Sequence, residues 1–418
     1  MNVLISGAGV AGPTLAYWLR RYGYAPTVVE RAPAMRMGLG GHAVDLFGPA
    51  VDVVDRMGLL PQVRDARTRL DVVSLERPGK PPVEVDFRRL IAGVSSKHVE
   101  IMRGELVSIL YEATRHDVEY VFGDSVRTLD PDGDAVAVTF EHAAPRRFDL
   151  VVGADGLHST VRALAFGDDA RFLHYIGGYL AVFTLPNYLG LDGRTVGYQA
   201  VDRVVGMYPV RQNDRSGPRG FALRPRPVAG EARALLLFRR AEPLAYDHRD
   251  AQAQKRLLQE EFAGFGWQVP RLLAEAERAT DLYFDSISQV VMDTWSKGRI
   301  TLVGDAGYSP GPAVGGGTSV AVVGAHVLAG ELFAAGGDHT TALRAYEDEL
   351  REFVRGARRI GPTFMKSFIP RSERQIRFTT QLMRVVPRLP APVQRMLFAW
   401  QRGPARTLES ITVRRYEP

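Results

Sequence analysis

Cysteine is absent from all 418 residues. Its absence excludes disulfide frameworks, cysteine-based metal sites and dithiol redox chemistry, and allows a reducing interior without proving one. Lysine is scarce: Lys80, Lys97, Lys255, Lys297 and Lys366 are the whole set, so arginine carries most of the basic charge. Arginines and acids are interspersed along the chain. Despite a net charge of +6 and a pI near 9.5, that pattern reads as a solvated mixed surface rather than a nucleic-acid stripe. No apolar run approaches the ~20 residues that span a bilayer. The N-terminus starts on a strand, without the basic segment and cleavage site of a secretory signal. A cytoplasmic protein is expected, with no nucleic acid, membrane or metal among its partners. Repeats and low-complexity segments are lacking as well. What remains is an ordinary globular composition, 45% apolar and 24% charged, in a chain comfortable for two interleaved domains.

The stretch 2–6 reads as a buried parallel strand and leads directly into Gly7-Ala8-Gly9-Val10-Ala11-Gly12 and an apolar helix. Gly7 makes the tight turn, Gly9 lets a pyrophosphate approach, and Gly12 lets helix pack on strand. A second strand, 26–29, ends on Glu30, about 20 residues on, where an acid accepts from a ribose 2′-hydroxyl and repels a 2′-phosphate. The resident nucleotide should therefore be FAD or NAD, not NADP. Arg31 is either a rim charge or a partner for the adenosine end. The glycine cluster 38–41, with Gly41, His42 and Asp45, suggests close contact with a ligand, or is an ordinary loop. His42 reads better as a neutral loop histidine than as a base. Arg103, at the start of a helix, could reach a phosphate or ribose with its planar fork, or be merely exposed. The stretch 124–127, Val126 within it, would pass the adenine edge.

Two further turns share this strand–turn–helix logic. The strand 148–152 runs into Gly153-Ala154-Asp155-Gly156, followed by Ser159 and Arg162. Asp155 and Arg162 could orient the loop around a pyrophosphate. Ser159 reads as a helix N-cap, since no Gly-x-Ser-x-Gly surrounds it. The strand 299–303 runs into Gly304-Asp305, then Pro312, Gly315-Gly316-Gly317 and Thr318, and an apolar helix over 319–333. Proline fixes this path and glycine admits a flat ligand. The helix start favours negative charge, as at the N1–C2=O edge of a reduced flavin.

These three motifs together resemble the class A FAD-dependent aromatic hydroxylases, the para-hydroxybenzoate hydroxylase type with its relatives on polyketides and tetracyclines. Trp295-Ser296-Lys297-Gly298-Arg299 is similar to the family too, and the motifs span residues 1 to about 345. The resemblance implies an α/β fold: a FAD-binding Rossmann-like domain with an inserted antiparallel-sheet substrate domain and C-terminal helices. It implies that Glu30 holds the FAD ribose, and that Arg103 and Asp305 bind ribityl and pyrophosphate. Asp155 would be shared between FAD and a transient NADPH (or NADH), and Gly315 to Thr318 would contact the isoalloxazine. Asp45 resembles the flavin-side acid of the tetracycline-inactivating members. The implied chemistry is hydroxylation of an aromatic, polyketide or tetracycline-like molecule by C4a-hydroperoxyflavin formed from O₂. The flavin carries that chemistry, and no catalytic side chain is assigned. Gly307-Tyr308 departs from the family's usual Ala-His. The rivals are a reductase or halogenase of the same fold, or a non-catalytic flavin-binding or ligand-binding protein; Trp18, Trp267, Trp295 and Trp400 are too scattered for the halogenase pattern.

The FAD-binding domain is expected over 1–72, 97–170 and 283–345, and the substrate domain over 73–96 and 171–282. A C-terminal helical segment, 346–418, completes the chain. Strands at 178–185, 195–199, 204–209, 220–223 and 233–238 suggest a roof over the flavin. Phe183, Tyr198, Gln199, Arg203, Tyr208, Phe221 and Arg224 are its candidate substrate contacts, although aromatics on alternating positions are more often core. Helices are expected over 48–60, 340–359, 373–386 and 393–400, and a monomer or homodimer is expected.

Overall fold

The computed structural model describes residues 1–35, 41–68, 70–86, 97–210, 230–312, 315–386 and 408–417. Strand β1 (Asn2–Ser6) is buried at every position but Asn2, and a strand buried on both faces belongs inside a parallel sheet. It pairs in parallel with β2 (Ala25–Glu30) on one side and β11 (Leu150–Gly153) on the other. Beyond β2 lies β7 (Glu119–Phe122), and beyond β11 lies β18 (Ile300–Leu302), both parallel; the short β17 (Ser296–Lys297) closes the edge antiparallel. The three glycine-bearing turns thus leave the C-terminal ends of three adjacent strands, where ligands of open α/β sheets bind. The Ala11–Arg21 and Gly317–Ala334 helices cross on this sheet, with Trp18 4.4 Å from His326 between ring centroids. Gly317–Ala334 is the one helix among the described residues long and apolar enough to cross a membrane, and most of it is buried inside the protein.

A seven-stranded sheet forms the second layer. Its order is β16 (Tyr283–Val290), β12 (Leu173–Pro186), β15 (Glu231–Arg239), β14 (Arg203–Pro209), β13 (Arg194–Ala200), β4 (Val72–Arg77) and β5 (Lys80–Asp86). All neighbours are antiparallel except β13 and β4. Because strand side chains alternate, each face has its own core. Tyr179, Phe183, Leu236 and Phe238 pack with Leu258, Phe262 and Leu272 under the helices Ala251–Glu261 and Val269–Arg278. Leu180, Val182, Val204 and Leu237 point the other way and join the core of the parallel sheet. Two smaller sheets complete the fold: the ribbon β3 (Ala43–Leu46) with β6 (Val99–Met102), and β8 (Val126–Pro131), β9 (Val136–Phe140) and β10 (Arg146–Phe148).

Several boundaries differ from the sequence reading. Pro81 and Pro82 lie inside β5, an edge strand, where a missing N–H costs no ladder bond. The strand expected over 148–152 is two strands, broken at Asp149, whose carboxylate accepts from the Asn2 N–H at 2.7 Å. The helix expected over 48–60 stops at Arg56 and restarts at Leu60, with Gly58 left-handed between them. The helix expected over 340–359 runs from His339 to Phe368 and tolerates Pro362. Strand β16 belongs to the roof, so the expected domain boundary at 283 falls at its first residue. The strand expected at 220–223 and the helix at 393–400 lie outside the described residues.

Residues 408–417 fold back over the nucleotide side. Leu408 presses on Gly316, where an added Cβ would lie 2.6 Å from it. The Tyr416 ring fills the space a Cβ on Gly330 would need, and its hydroxyl donates to Glu331 at 2.6 Å. The Tyr22 hydroxyl donates to the Tyr416 carbonyl, and Arg56 holds the carbonyls of Val413 and Arg414.

Candidate active site

The first turn is locked to the second. Gly7 has φ +109°, and a Cβ there would meet the Ala154 carbonyl oxygen at 2.6 Å. The first turn also meets the third, since a Cβ on Gly304 (φ +67°) would lie 3.4 Å from Ala11. Gly12 packs on the Gly7 carbonyl. Arg103 reaches across, its Nη2 3.6 Å from where a Gly9 Cβ would stand, while Gly41 abuts its side-chain stem. Asp45 Oδ2 lies 3.8 Å from a Cβ built on Gly315, and Asp305 Oδ1 lies 3.6 Å from one built on Gly317. One cradle therefore holds Gly7, Gly9, Ala11, Gly12, Gly41, Asp45, Arg103, Gly304, Asp305, Gly315 and Gly317.

The cradle's donors suit a dinucleotide with a flat anionic ring. The helices starting at Ala11 and Gly317 have neither a side-chain cap nor an acid in the first turn, so their N–H groups and positive dipole ends remain for phosphate or anionic ring edges. Gly315 and Gly316 are consecutive left-handed residues, φ +80° and +84°, a conformation that exposes successive N–H groups. Asp305 is exposed at the start of the short helix Asp305–Tyr308. Pro312 and Thr318 are half-buried beside these glycines. Glu30 ends β2 and grips the first turn, accepting from Ala8 N and Ala32 N, each at 2.8 Å. Each of its oxygens keeps a lone pair for a ribose hydroxyl.

The other side of the cleft is the roof. Tyr283 (β16) approaches His42, ring centroids 6.3 Å apart, and the Tyr208 hydroxyl (β14) accepts from Ala43 N at 3.3 Å. Burial, and the Asp285 charge after it, hold Tyr283 well above the usual phenol range; Tyr208 is pushed up to about 12 by burial. Both are neutral donors near neutral pH. His42 is depressed to about 4 by burial and then by the Arg103 charge, so it is a neutral imidazole. Cross-strand partners Gly197 and Gly206 leave the same face without side chains at its centre. In the next register Arg233 stands opposite Tyr208. Arg233 is 1% exposed, 3.6 Å from Asp281, and its Nε and Nη1 have no hydrogen-bond partner among the described residues.

Some predicted residues sit elsewhere. Phe183 belongs to the core under the roof helices, and Tyr198 stacks on Trp267 on that same side at 5.9 Å. Arg203 donates to the Glu261 carbonyl at 2.7 Å, also on the helix side. All three face away from the cleft because strand alternation places them with Val205 and Met207. Gln199, paired with Val204, has the cleft-side parity. Phe221 and Arg224 lie outside the described residues. Arg162 is wholly buried and holds the carbonyls of Ala306 and Leu157 and the Asp169 carboxylate; it braces the second turn from behind. Asp155 accepts from the Ser159 hydroxyl at 2.5 Å and Val161 N at 3.1 Å, and burial raises its pKa. Ser159 caps the Thr160–Phe166 helix as expected. Val126 is buried at the start of β8, and Arg31 is exposed at the rim. Tyr308 points into the core, its hydroxyl 2.8 Å from that of Tyr346.

Sequence reasoning missed Glu100, His98, Tyr283 and Arg233. Glu100 was findable: the alternation of 43–46 against 99–102 sets Asp45 and Glu100 on one face of a ribbon.

A three-turn cradle of this kind, roofed by a seven-stranded sheet, defines a flavoprotein. Comparison with known proteins agrees. Residues 1–171 match the FAD binding domain family. A flavin-dependent monooxygenase of Legionella longbeachae is 37% identical over 373 residues, covering 89% of this chain and 91% of the relative. An uncharacterised protein of Mycobacterium tuberculosis is 46% identical over 355 residues, 84% of this chain and 90% of its own. Among solved structures, the tetracycline destructase Tet(55) superposes with a TM-score of 0.80 at 34% identity, covering 99% of this chain and 98% of that one. The chain belongs to the class A FAD-dependent monooxygenases. It is a flavoprotein enzyme whose cofactor is FAD.

Proposed function

We propose that this monooxygenase hydroxylates a flat, oxygen-rich aromatic or polyketide molecule, of which a tetracycline is one form, with NADPH or NADH as transient reductant. The observation that supports this most is the cleft face of the roof: neutral Tyr208 and Tyr283 and the buried Arg233 lie on it, around a sheet centre of Gly197 and Gly206. Such a slot fits a planar ligand, and its few polar groups suit phenolic or enolic oxygens. The tetracycline named for a 34%-identical structural neighbour belongs to that class.

In this reading Gly7, Gly9, Ala11 and Gly12 let the pyrophosphate approach the first helix. Glu30 holds the ribose, with Arg31 and Val126 at the adenosine end. Arg103 and Asp305 fix the pyrophosphate and ribityl, and Gly304 and Pro312 set the path of the third turn. Gly315, Gly316, Gly317 and Thr318 direct N–H groups at the ring's anionic edge, with Gly41, His42 and Asp45 on its other side. Asp155 works indirectly, by fixing the second turn. Bound FAD supplies electron transfer from NADPH to O₂ and insertion of one oxygen atom into substrate. The protein binds and orients the substrate, stabilises negative charge and excludes water. The described residues hold one dinucleotide fold, and in this reading the reductant visits rather than resides. A nucleotide side (1–72, 97–170, 283–345), a substrate side (73–96, 171–282) and a C-terminal segment (346–418) remain the working division, with β16 (Tyr283–Val290) moved to the substrate side. A cysteine-free NADPH-dependent enzyme suits the cytoplasm, as a monomer or homodimer.

The test is NADPH oxidation by the yellow protein with and without phenols and tetracyclines, with mass spectrometry of the products. A product heavier by one oxygen is expected. Peroxide production unchanged by every aromatic offered would remove the substrate class, and an absorbance that NADPH never bleaches would remove the reductant.

A further inference from the structure

The ribbon of β3 and β6 turns its apolar residues, Val44, Leu46, Val99 and Ile101, into the core. The alternate face carries Asp45 and Glu100, which are direct cross-strand partners. Two carboxylates so placed cannot both ionise cheaply, because like charges directly opposite repel. Their surroundings decide which keeps the charge. Asp45 has a close polar partner: His98 Nε2 lies 2.6 Å from its Oδ1. Glu100 has no ion-pair partner among the described residues; its carboxylate accepts from the Thr68 hydroxyl. Burial and then the Asp45 charge raise Glu100 to about 7, against smaller opposing effects of Thr68 and His98. Tyr208 from β14 also feels the Glu100 charge, and the ribbon's open end is closed by Arg103 N donating to the His42 carbonyl at 3.2 Å. Asp45 in turn faces Gly315, so the pair borders both the cofactor turn and the roof.

We propose that Glu100, opposite Asp45 on the cleft face of this ribbon, delivers the proton that each turnover consumes, and that the Asp45–His98 pair reloads it. The inference rests on the NADPH-dependent reading above. Monooxygenation converts a substrate C–H, O₂, NADPH and one H⁺ into C–OH, NADP⁺ and H₂O. The O–O bond breaks, one oxygen enters the substrate, and the hydride's electron pair reduces the other to water. One proton per cycle therefore comes from solvent. Glu100 gives up that proton inside the closed cleft. Its return path runs through Asp45, 30% exposed, and the His98 ring paired with it, 7% exposed.

The test compares flavin-loaded wild type, E100Q, E100D and D45N. Infrared difference spectra against pH should show a protonated carboxyl that disappears near neutral pH in wild type. It should be absent in E100Q and titrate at lower pH in D45N. Turnover of E100Q should fall about 10- to 100-fold with flavin content and the rate of flavin bleaching by NADPH unchanged, and E100D should recover part of the loss. A carboxyl signal that persists in E100Q, or wild-type turnover of E100Q across the pH range, overturns the proposal. Those infrared spectra need no substrate, so they judge Glu100 even if no aromatic is turned over, which would count against the substrate reading instead.

Discussion

Asp305 is an exposed acid at the start of a four-residue helix, held in place by left-handed Gly304 before it and facing Gly317. Its position gives it little to do in the apoprotein fold and much to do at a ligand. We expect Asp305→Ala to fold and to lose FAD during purification; stoichiometric flavin in that variant would refute its role. His158 is different, because its work is between layers. Burial opposes its charge, but the carboxylates of Asp169 and Asp285 outweigh this and raise it to about 9. Its Nε2 lies 3.0 Å from Asp285 Oδ2 in β16, while it stacks on His248 at 4.1 Å. A histidine whose pKa rises on folding stabilises fully below its unfolded value of about 6.5 and loses that contribution as pH climbs through its folded value. The stability gap between wild type and His158→Gln should therefore be largest below about pH 6.5 and close as pH passes about 9. A gap that is flat in urea titrations from pH 6 to 10 would contradict the pairing. At this scale the sequence was readable where a residue's type answers a backbone need, as with Gly7 and Ser159. It was not readable where a side chain could turn either way. Nothing local distinguishes a buried brace such as Arg162 from an arginine in the cradle such as Arg103.

Alternation decides most at the level of elements. In β13, β14 and β12 the candidate aromatics were known to lie on strands, but which face met the cleft depended on register against distant partners. Tyr208 fell on the cleft face, and Phe183 and Tyr198 fell on the other. The third turn shows how elements enforce each other. Tyr308, where relatives in the resembled family carry histidine, lies wholly buried, and an added Cβ on Gly324 would sit 2.1 Å from its hydroxyl. Tyr346 links that hydroxyl to the His339–Phe368 helix and donates to the Leu302 carbonyl at 2.9 Å. Gly324→Ala should overpack this contact and cost about 1–3 kcal/mol, read by chemical denaturation. Adding Tyr308→Phe should recover part of the loss, since the nearest ring carbon stands farther away, at 3.2 Å. A double mutant no better than the single would mean the crowding lies elsewhere. The tyrosine is thus a packing residue, turned into the core rather than toward the cleft.

Across the whole molecule, two cores share one sheet, and the His339–Phe368 helix ties the layers together. Gln289 of β16 donates to the Arg358 carbonyl at 2.6 Å, and Arg239 of β15 holds the Ile369 carbonyl at 2.6 Å. The layered architecture was legible from the three turns and the strand-rich middle. The reach of this helix was not: it was expected to end at 359, and tertiary packing carries it past Pro362. Residues 408–417 were expected within a C-terminal helical segment, but beyond Leu408 they are not helical; with no periodicity and no motif, their path follows from the contacts of Leu408 and Tyr416. Removing them should lower the melting temperature and the flavin retained per chain together; an unchanged flavin content would show that Leu408 does not support the third turn.

That last segment also sets an order of events during synthesis. Gly316 lies in the third turn, yet the side chain that backs it arrives some ninety residues later on the ribosome, by the numbering of Gly316 and Leu408. A nascent chain can therefore complete its parallel sheet and both helix starts while the seat proposed for the flavin ring still lacks its outer wall. Cofactor capture becomes a late, post-translational event, and a bulky fusion placed just after Tyr416 would be felt at the flavin.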